Sequence, residues 1–190
     1  TGTHTYGADA VTCEYPHGTV SFDEAMTQSC NCAFAQIMDQ LGADRLCYYV
    51  EKYQLTEPVR FDGVTTAAGN FQKAPSSVEA AWSGIGQYTD QVNPCRYMTF
   101  MGAIANGGVA VEPHLVGKVT CDGAVTYEAK VDSAERIMTE ELAKTLQDMM
   151  RNNVLEKYGA DNFPGMTVCA KSGTGQVGGD QKSNAMFAGV

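Results

Sequence analysis

No stretch of this sequence is both long and apolar enough to cross a bilayer. The longest uncharged run, Tyr97 to Val111, has 15 residues and is interrupted by Asn106-Gly107-Gly108. An excess of basic residues is also missing. The formal net charge of −9 would repel phosphate backbones and anionic lipid surfaces, so nucleic acid is not expected as a partner. The seven cysteines contain no C-x-x-C pair. Cys30-Asn31-Cys32 is the one close pairing, and residues two apart on a helix point in different directions, so no metal site is expected and the thiols read as small buried side chains. No internal repeat or low-complexity tract occurs. His4, His17 and His114 stand in no recognisable order with a serine or aspartate and read as structural or surface residues. The chain opens without a methionine or a basic-then-apolar leader and stops inside an apolar run, so both ends are expected to be cut.

What is present suits one domain. A chain of 190 residues, 44% hydrophobic and 18% charged, can bury roughly two-thirds of the surface its unfolded form exposes. Ser21-Phe22-Asp23-Glu24 has the form of a capping box and starts a helix. Cys30, Phe34, Ile37, Met38 and Leu41 recur at helical spacing up to Gly42, which places Ser29 at a junction between two helical stretches. Leu46, Tyr49, Val50 and Tyr53 continue as a third helix. Thr56 to Pro75 reads as extended loop, and Ser77 to Trp82 as a short helix. Asn93-Pro94 caps a helix ended by Gly107-Gly108, and Thr139 caps another. Leu115 to Cys121 and Ala124 to Ala129 flank Asp122-Gly123, a two-residue hairpin signal. Met166 to Ala170 and Ala185 to Val190 read as strands. The expected class is α+β, an antiparallel sheet packed against a mostly helical region, with helices in about 17–110 and 139–158 and strands in about 111–130 and 165–190.

The stretch Lys171-Ser172-Gly173-Thr174-Gly175-Gln176-Val177-Gly178-Gly179-Asp180 carries two incompatible motifs. Gly173, Gly175 and Gly178 spell the G-x-G-x-x-G dinucleotide fingerprint, which needs a helix beginning at the glycines and an acid about 20 positions later. Only twelve residues follow Gly178, and they read as a Gly179-Asp180 turn and a returning strand. The glycines therefore fit a loose connection between antiparallel strands. The other reading is acyl transfer by an activated serine, with Lys171 supplying positive charge and the hydroxyls of Ser172 and Thr174 gripping a carboxylate. It demands a second polar cluster, and Ser29-Cys30-Asn31 answers it.

Ser29-Cys30-Asn31 and Lys171-Ser172-Gly173 stand as two of the three motifs S-x-x-K, S-x-N and K-[ST]-G, so the chain resembles the transpeptidase domain of penicillin-binding proteins, a family that includes serine β-lactamases. "GTVSFDEAMTQSCNCAFAQI" is similar to the family's approach to S-x-N, "GIGQ" followed by "NPCRYMTFMGAIANGGVAVEPHLV" to its long helix with a glycine end, and "VCAKSGTGQ" to its third motif. The likeness runs from about His17 to Val190. By that resemblance Ser29 relays a proton to the leaving amine, Asn31 holds a substrate carbonyl, and Lys171 assists proton transfer and docking of the substrate carboxylate. Ser172 and Thr174 bind that carboxylate, the Thr174 amide forms half of the oxyanion hole, and Gly173 admits the substrate backbone.

No serine, threonine or cysteine is followed three residues later by lysine. The expectation is a single partial domain, 1–190, incomplete at both ends, whose nucleophile lies upstream and which is inactive alone. Ser29 is an unsuitable nucleophile because nothing local aims an oxyanion hole at it. The implied parent is a peptidoglycan D,D-transpeptidase at the outer face of the cell membrane, tethered by an anchor absent here, using no cofactor, and meeting D-Ala-D-Ala stem peptides and β-lactams. A β-lactam sensor, a β-lactamase-like domain and a non-catalytic binding module of the same fold are the alternatives.

Overall fold

The computed structural model describes residues 2–130, 134–178 and 181–190. An antiparallel hairpin, β1 (Thr3–Tyr6) and β2 (Asp9–Thr12), leads into α1 (Phe22–Thr27), α2 (Asn31–Leu41) and α3 (Ala43–Lys52). A minimal hairpin follows, β3 (Arg60–Phe61) and β4 (Val64–Thr65), then α4 (Ser77–Gly84), α5 (Pro94–Ala105) and β5 (Val109–Val111). The chain continues through the hairpin β6 (Lys118–Cys121) and β7 (Ala124–Glu128), then β8 (Ala134–Arg136), α6 (Glu140–Asn153) and a π-helical turn at Val154–Tyr158. It closes with β9 (Ala170–Gly175) and β10 (Asn184–Gly189). Every strand pairing among the described residues is antiparallel, and each joins two strands, β5 pairing with the distant β8 and β9 with β10.

Capping chemistry explains where the helices begin. Ser21 accepts from the Glu24 amide while the Glu24 carboxylate accepts from the Ser21 amide, the reciprocal pair of a capping box. Thr139 accepts from the Leu142 amide and starts α6. Asp122 at φ 50° and Gly123 at φ 81° both occupy the left-handed region that a two-residue turn between twisted strands requires.

Two apolar clusters hold the site in place. Met101 and Ile104 of α5 pack with Ala143 and Met150 of α6, together with Met138 just before α6 and Cys169 just before β9. Burying each large side chain here contributes roughly 1.5–3 kcal/mol. Val11 of β2, Ala35 of α2 and Ala81 of α4 form the second, flanked by Trp82. Helices α2 and α4 approach so closely that a Cβ at Gly84 would lie 1.9 Å from Met38 Cγ.

Some expectations need correction. The strand expected at Met166 to Ala170 begins instead at Ala170 and runs through Gly175. Before it the backbone is held by side chains of α6, with Arg151 donating to the Val168 carbonyl at 3.1 Å and Asn153 to the Ala170 carbonyl at 2.7 Å. Gly173 and Gly175 therefore lie inside a strand, not in a loose connection. The β9–β10 register is regular from Ala170 to Gly175, so Gly173 marks no bulge. No nucleotide-type helix follows Gly178, since the next described element is β10. The Gly179-Asp180 turn lies outside the described residues. Hairpin β1–β2 and strands β5 and β8 were not foreseen.

Candidate active site at the edge of β9

Ser29 sits in the three-residue break between α1 and α2, Gln28 to Cys30, with φ 51°, the left-handed region. A residue with a Cβ enters that region at a cost of order 1–3 kcal/mol. The Ser29 and Cys30 amides are both taken by α1, donating to Met26 and Ala25 carbonyls at 3.1 and 2.8 Å. The turn is thus locked by its own backbone, and the hydroxyl is presented outward, exposed.

Across 142 positions of sequence, Lys171 of β9 donates from Nζ to Ser29 Oγ. The same ammonium donates to the Ser172 carbonyl at 2.6 Å. Burial pulls the Lys171 pKa below the ordinary lysine range, while the nearby Tyr158 oxygen works in the opposite direction. A lysine so placed releases its proton more readily than a solvated one.

Strand parity sorts the rest of the motif. Side chains alternate, so half-buried Lys171 reaches inward to the α1–α2 break while Ser172 and Thr174 project together on the exposed face. Backbone groups alternate as well. Cys169 exchanges both ladder hydrogen bonds with Val190, at 2.8 and 2.9 Å, so the odd-numbered residues face β10. Ala170, Ser172 and Thr174 face the other edge, where Asn153, Lys171 and Gln87 donate to their carbonyls. The Thr174 amide lies on that same edge. An added Cβ at Gly173 would meet open space.

Asn31, half-buried at the first turn of α2, donates from Nδ2 to the Thr12 carbonyl at 2.9 Å, so hairpin β1–β2 fixes its amide and leaves one N–H for a further acceptor. Sequence reasoning missed Tyr158. It sits in the π-helical turn after α6, donates to Ser172 Oγ and accepts from the Ser172 amide, both at 2.7 Å. Burial raises its pKa, but hydrogen bonds with Ser172 and Asn153 and the positive charge of Lys171 outweigh that and lower it overall. The π-helical register that aims it has no short-range sequence signal. Gln87, in the Gly84-Ile85-Gly86-Gln87 stretch, reaches the Thr174 carbonyl at 3.4 Å. His4 pairs with Asp39 at 2.6 Å, away from β9.

The expectation of no metal site rested on cysteine spacing along the chain: no C-x-x-C pair, and Cys30 and Cys32 two apart on a helix. Hairpin β1–β2 brings a third cysteine, and Cys13, His17 and Cys30 place one donor atom each within 4.8 Å of one another.

The site combines a half-buried lysine, a hydroxyl in its reach, a pair of exposed hydroxyls and an open strand edge bearing an amide. That is equipment for binding an extended acyl group and moving a proton near it. The family model of the penicillin binding protein transpeptidase domain matches residues 3–190. The peptidoglycan D,D-transpeptidase PbpA of Mycobacterium tuberculosis is 29% identical over 167 residues, 86% of this chain and 34% of that protein. Stage V sporulation protein D of Bacillus subtilis is 26% identical over 172 residues, 87% of this chain and 26% of that protein. The chain thus spans about a third or less of these relatives. Among solved structures, the D,D-transpeptidase domain of a peptidoglycan glycosyltransferase from Eggerthella lenta matches 99% of this chain and 49% of its own with TM-score 0.83 at 24% identity, a likeness of fold. The imipenem acyl-enzyme complex of penicillin-binding protein A from M. tuberculosis matches 91% of this chain and 42% of its own with TM-score 0.79 at 26% identity. A family match that runs from the first hairpin to the last strand decides the matter: this chain belongs to the penicillin binding protein transpeptidase domains.

Proposed function

We propose that the chain supplies the proton-relay and carboxylate-binding half of a peptidoglycan D,D-transpeptidase site, and that the attacking serine and its lysine come from a segment outside these 190 residues. The observation that carries this reading is the hydrogen bond from Lys171 to Ser29, which joins the S-x-N and K-[ST]-G motifs in one site.

The geometry supports the following roles. The nucleophile attacks the carbonyl of the D-Ala-D-Ala bond, and the oxyanion that forms takes the Thr174 amide on the open edge. The substrate strand lies along that edge over Gly173, where no Cβ intrudes. Lys171 holds Ser29 so that its hydroxyl passes a proton to the departing amine, and Asn31 donates its remaining N–H to a substrate carbonyl. Ser172, oriented by Tyr158, and Thr174 bind the terminal carboxylate. Water or an acceptor amine then releases the acyl group. A β-lactam follows the same path up to the stable acyl-enzyme, as the imipenem complex of the M. tuberculosis relative is titled. The reaction calls for no metal or organic cofactor. No described helix is long and apolar enough to cross a membrane, and in this reading a tether at the outer membrane face lies outside the chain.

Labelling with a fluorescent penicillin tests the assignment. The full-length protein is expected to be acylated covalently, the 190-residue chain to remain unlabelled, and Lys171→Ala in the full-length protein to slow acylation by about 10² or more. Labelling of the isolated chain would overturn the roles given to Ser29. Acylation without release of crosslinked or trimmed stem peptide would favour a β-lactam sensor, and absence of acylation a binding module.

A further inference from the structure

A second group of side chains that carry metal-ligand atoms adjoins the Ser29 turn and has no part in the roles above. Hairpin β1–β2 delivers Cys13 to the start of α2, where its Sγ lies 3.8 Å from Cys30 Sγ and 3.5 Å from Cys32 Sγ. His17 enters from the following loop, its ring set by an edge contact with Tyr15 at 5.0 Å between centroids. The donor atoms of Cys13, His17 and Cys30 lie within 4.8 Å of one another. His17 Nδ1 is buried and meets no hydrogen-bond partner among the described residues. An imidazole beside two sulfur atoms, with one of its nitrogens buried and no protein group to satisfy it, is what a metal ligand looks like before the ion is counted.

The spacing matches the chemistry. With metal–sulfur bonds of about 2.3 Å, two sulfurs on one tetrahedral ion sit about 3.8 Å apart. Thiolates with imidazole select zinc-class divalent ions over calcium or magnesium, which take oxygen. We propose that Cys13, His17 and Cys30 bind such an ion, with a water from the adjoining cleft completing the tetrahedron, and that the ion staples hairpin β1–β2 to the N-terminus of α2. Each thiol gives up its proton to solvent on binding, and nothing is oxidised or reduced. The Cys32 amide donates to Cys13 Sγ at 3.4 Å, a backbone donor already aimed at a sulfur that becomes a thiolate. A cleft of about 470 Å³ opens onto Cys13, His17, Cys30 and Cys32 and gives the ion a way in. The staple acts on the proposed site through its neighbours, because Thr12, which precedes Cys13, holds the Asn31 side chain.

Cobalt is the probe, since it occupies zinc sites and reports sulfur ligation by colour. The full-length protein, purified reduced, is expected to bind about one equivalent of Co²⁺ with thiolate charge-transfer absorption, to lose it to competing Zn²⁺, and to gain protection of these thiols from alkylation. Cys13→Ser and Cys30→Ser abolish the absorption, His17→Ala weakens binding at least tenfold, and Cys121→Ser, at an exposed cysteine outside the cluster, leaves it unchanged. If the cysteine variants fail to fold, the spectrum of the unaltered protein decides. Its lack of a charge-transfer band overturns the proposal, as does mass-spectrometric detection of a Cys13–Cys30 or Cys13–Cys32 disulfide in the protein isolated without reductant. None of these readouts depends on acylation.

Discussion

Asp90 shows how one residue in the loop that carries Gln87 sets a pH dependence of stability. One carboxylate oxygen accepts from Ser83 Oγ at 2.7 Å, while the other is buried without a partner among the described residues. Burial pushes its pKa up to about 6, with the Ser83 hydrogen bond working the other way. The unfolded chain releases this proton near pH 4. Between those values the native state holds the proton and the unfolded state does not, so stability falls as pH rises through the window, and the cost is fully present above it. Asp90→Asn removes the charge and keeps an acceptor for Ser83. The variant is expected to be more stable than the parent at pH 7 by about 1 kcal/mol, a value reduced from the full linkage because the group is half-exposed. At pH 4 the two should coincide, and thermal unfolding at both pH values checks it. A gain that persists at pH 4 would place the effect in packing, not in the charge.

Asn93 does the same for an element, the start of α5. It is almost wholly buried, at 1% exposure, and every polar group it carries is used. Oδ1 accepts from the Cys95 and Arg96 amides at 2.9 and 3.2 Å, and Nδ2 donates to Thr66 Oγ1 and the Ala67 carbonyl, both at 2.7 Å. Its own amide donates to Leu55 at 2.7 Å. It is therefore a cap and also the anchor of the long loop that sequence reading left unstructured. Truncation to alanine should cost about 1 kcal/mol for the cap and a further 1–3 kcal/mol for the part-buried donors and acceptors that lose the side-chain amide. Urea denaturation of Asn93→Ala is expected to show a loss of about 3 kcal/mol, against about 1 for Thr139→Ala, whose cap carries no such network. The helix starts at Ser21, Asn93 and Thr139, and the turn at Asp122-Gly123, were legible because capping and turn chemistry act within four residues. The pairing of β5 with β8, and the start of β9 after α6 takes up its approach, were not, because each depends on partners more than fifteen residues away. Hairpin β1–β2 did carry a local signal, the glycine at the first position of its turn, Gly7 at φ 66°.

At the scale of the whole molecule, the candidate site exists only because the fold closes a gap of 142 positions, and the two ties that close it are unequal. The motif residues were legible one by one, but not the left-handed backbone at Ser29, the Tyr158 hydroxyl over Ser172, or the meeting of Cys13 with Cys30, all of which are products of tertiary packing. Lys171 to Ser29 joins a half-buried ammonium to a hydroxyl on a locked turn. Lys157 to Gln28, at 3.0 Å, ties the π-helical turn to the same α1–α2 break across 129 positions, between exposed or half-exposed side chains. Water competes for the second contact and is partly excluded from the first, so the two should differ in a double-mutant cycle. Lys171→Ala with Ser29→Ala is expected to show a coupling of about 1 kcal/mol in urea denaturation, below the roughly 1.5–3 kcal/mol usual for a hydrogen bond to a charged group because Ser29 is exposed. Lys157→Ala with Gln28→Ala should add within about 0.3–0.5 kcal/mol, as independent sites do. Additivity in the first cycle would mean that the strand and the turn are held at their distance by the surrounding core alone, through Met101, Ile104 and Met150, and that the lysine is placed by the fold without helping to close it.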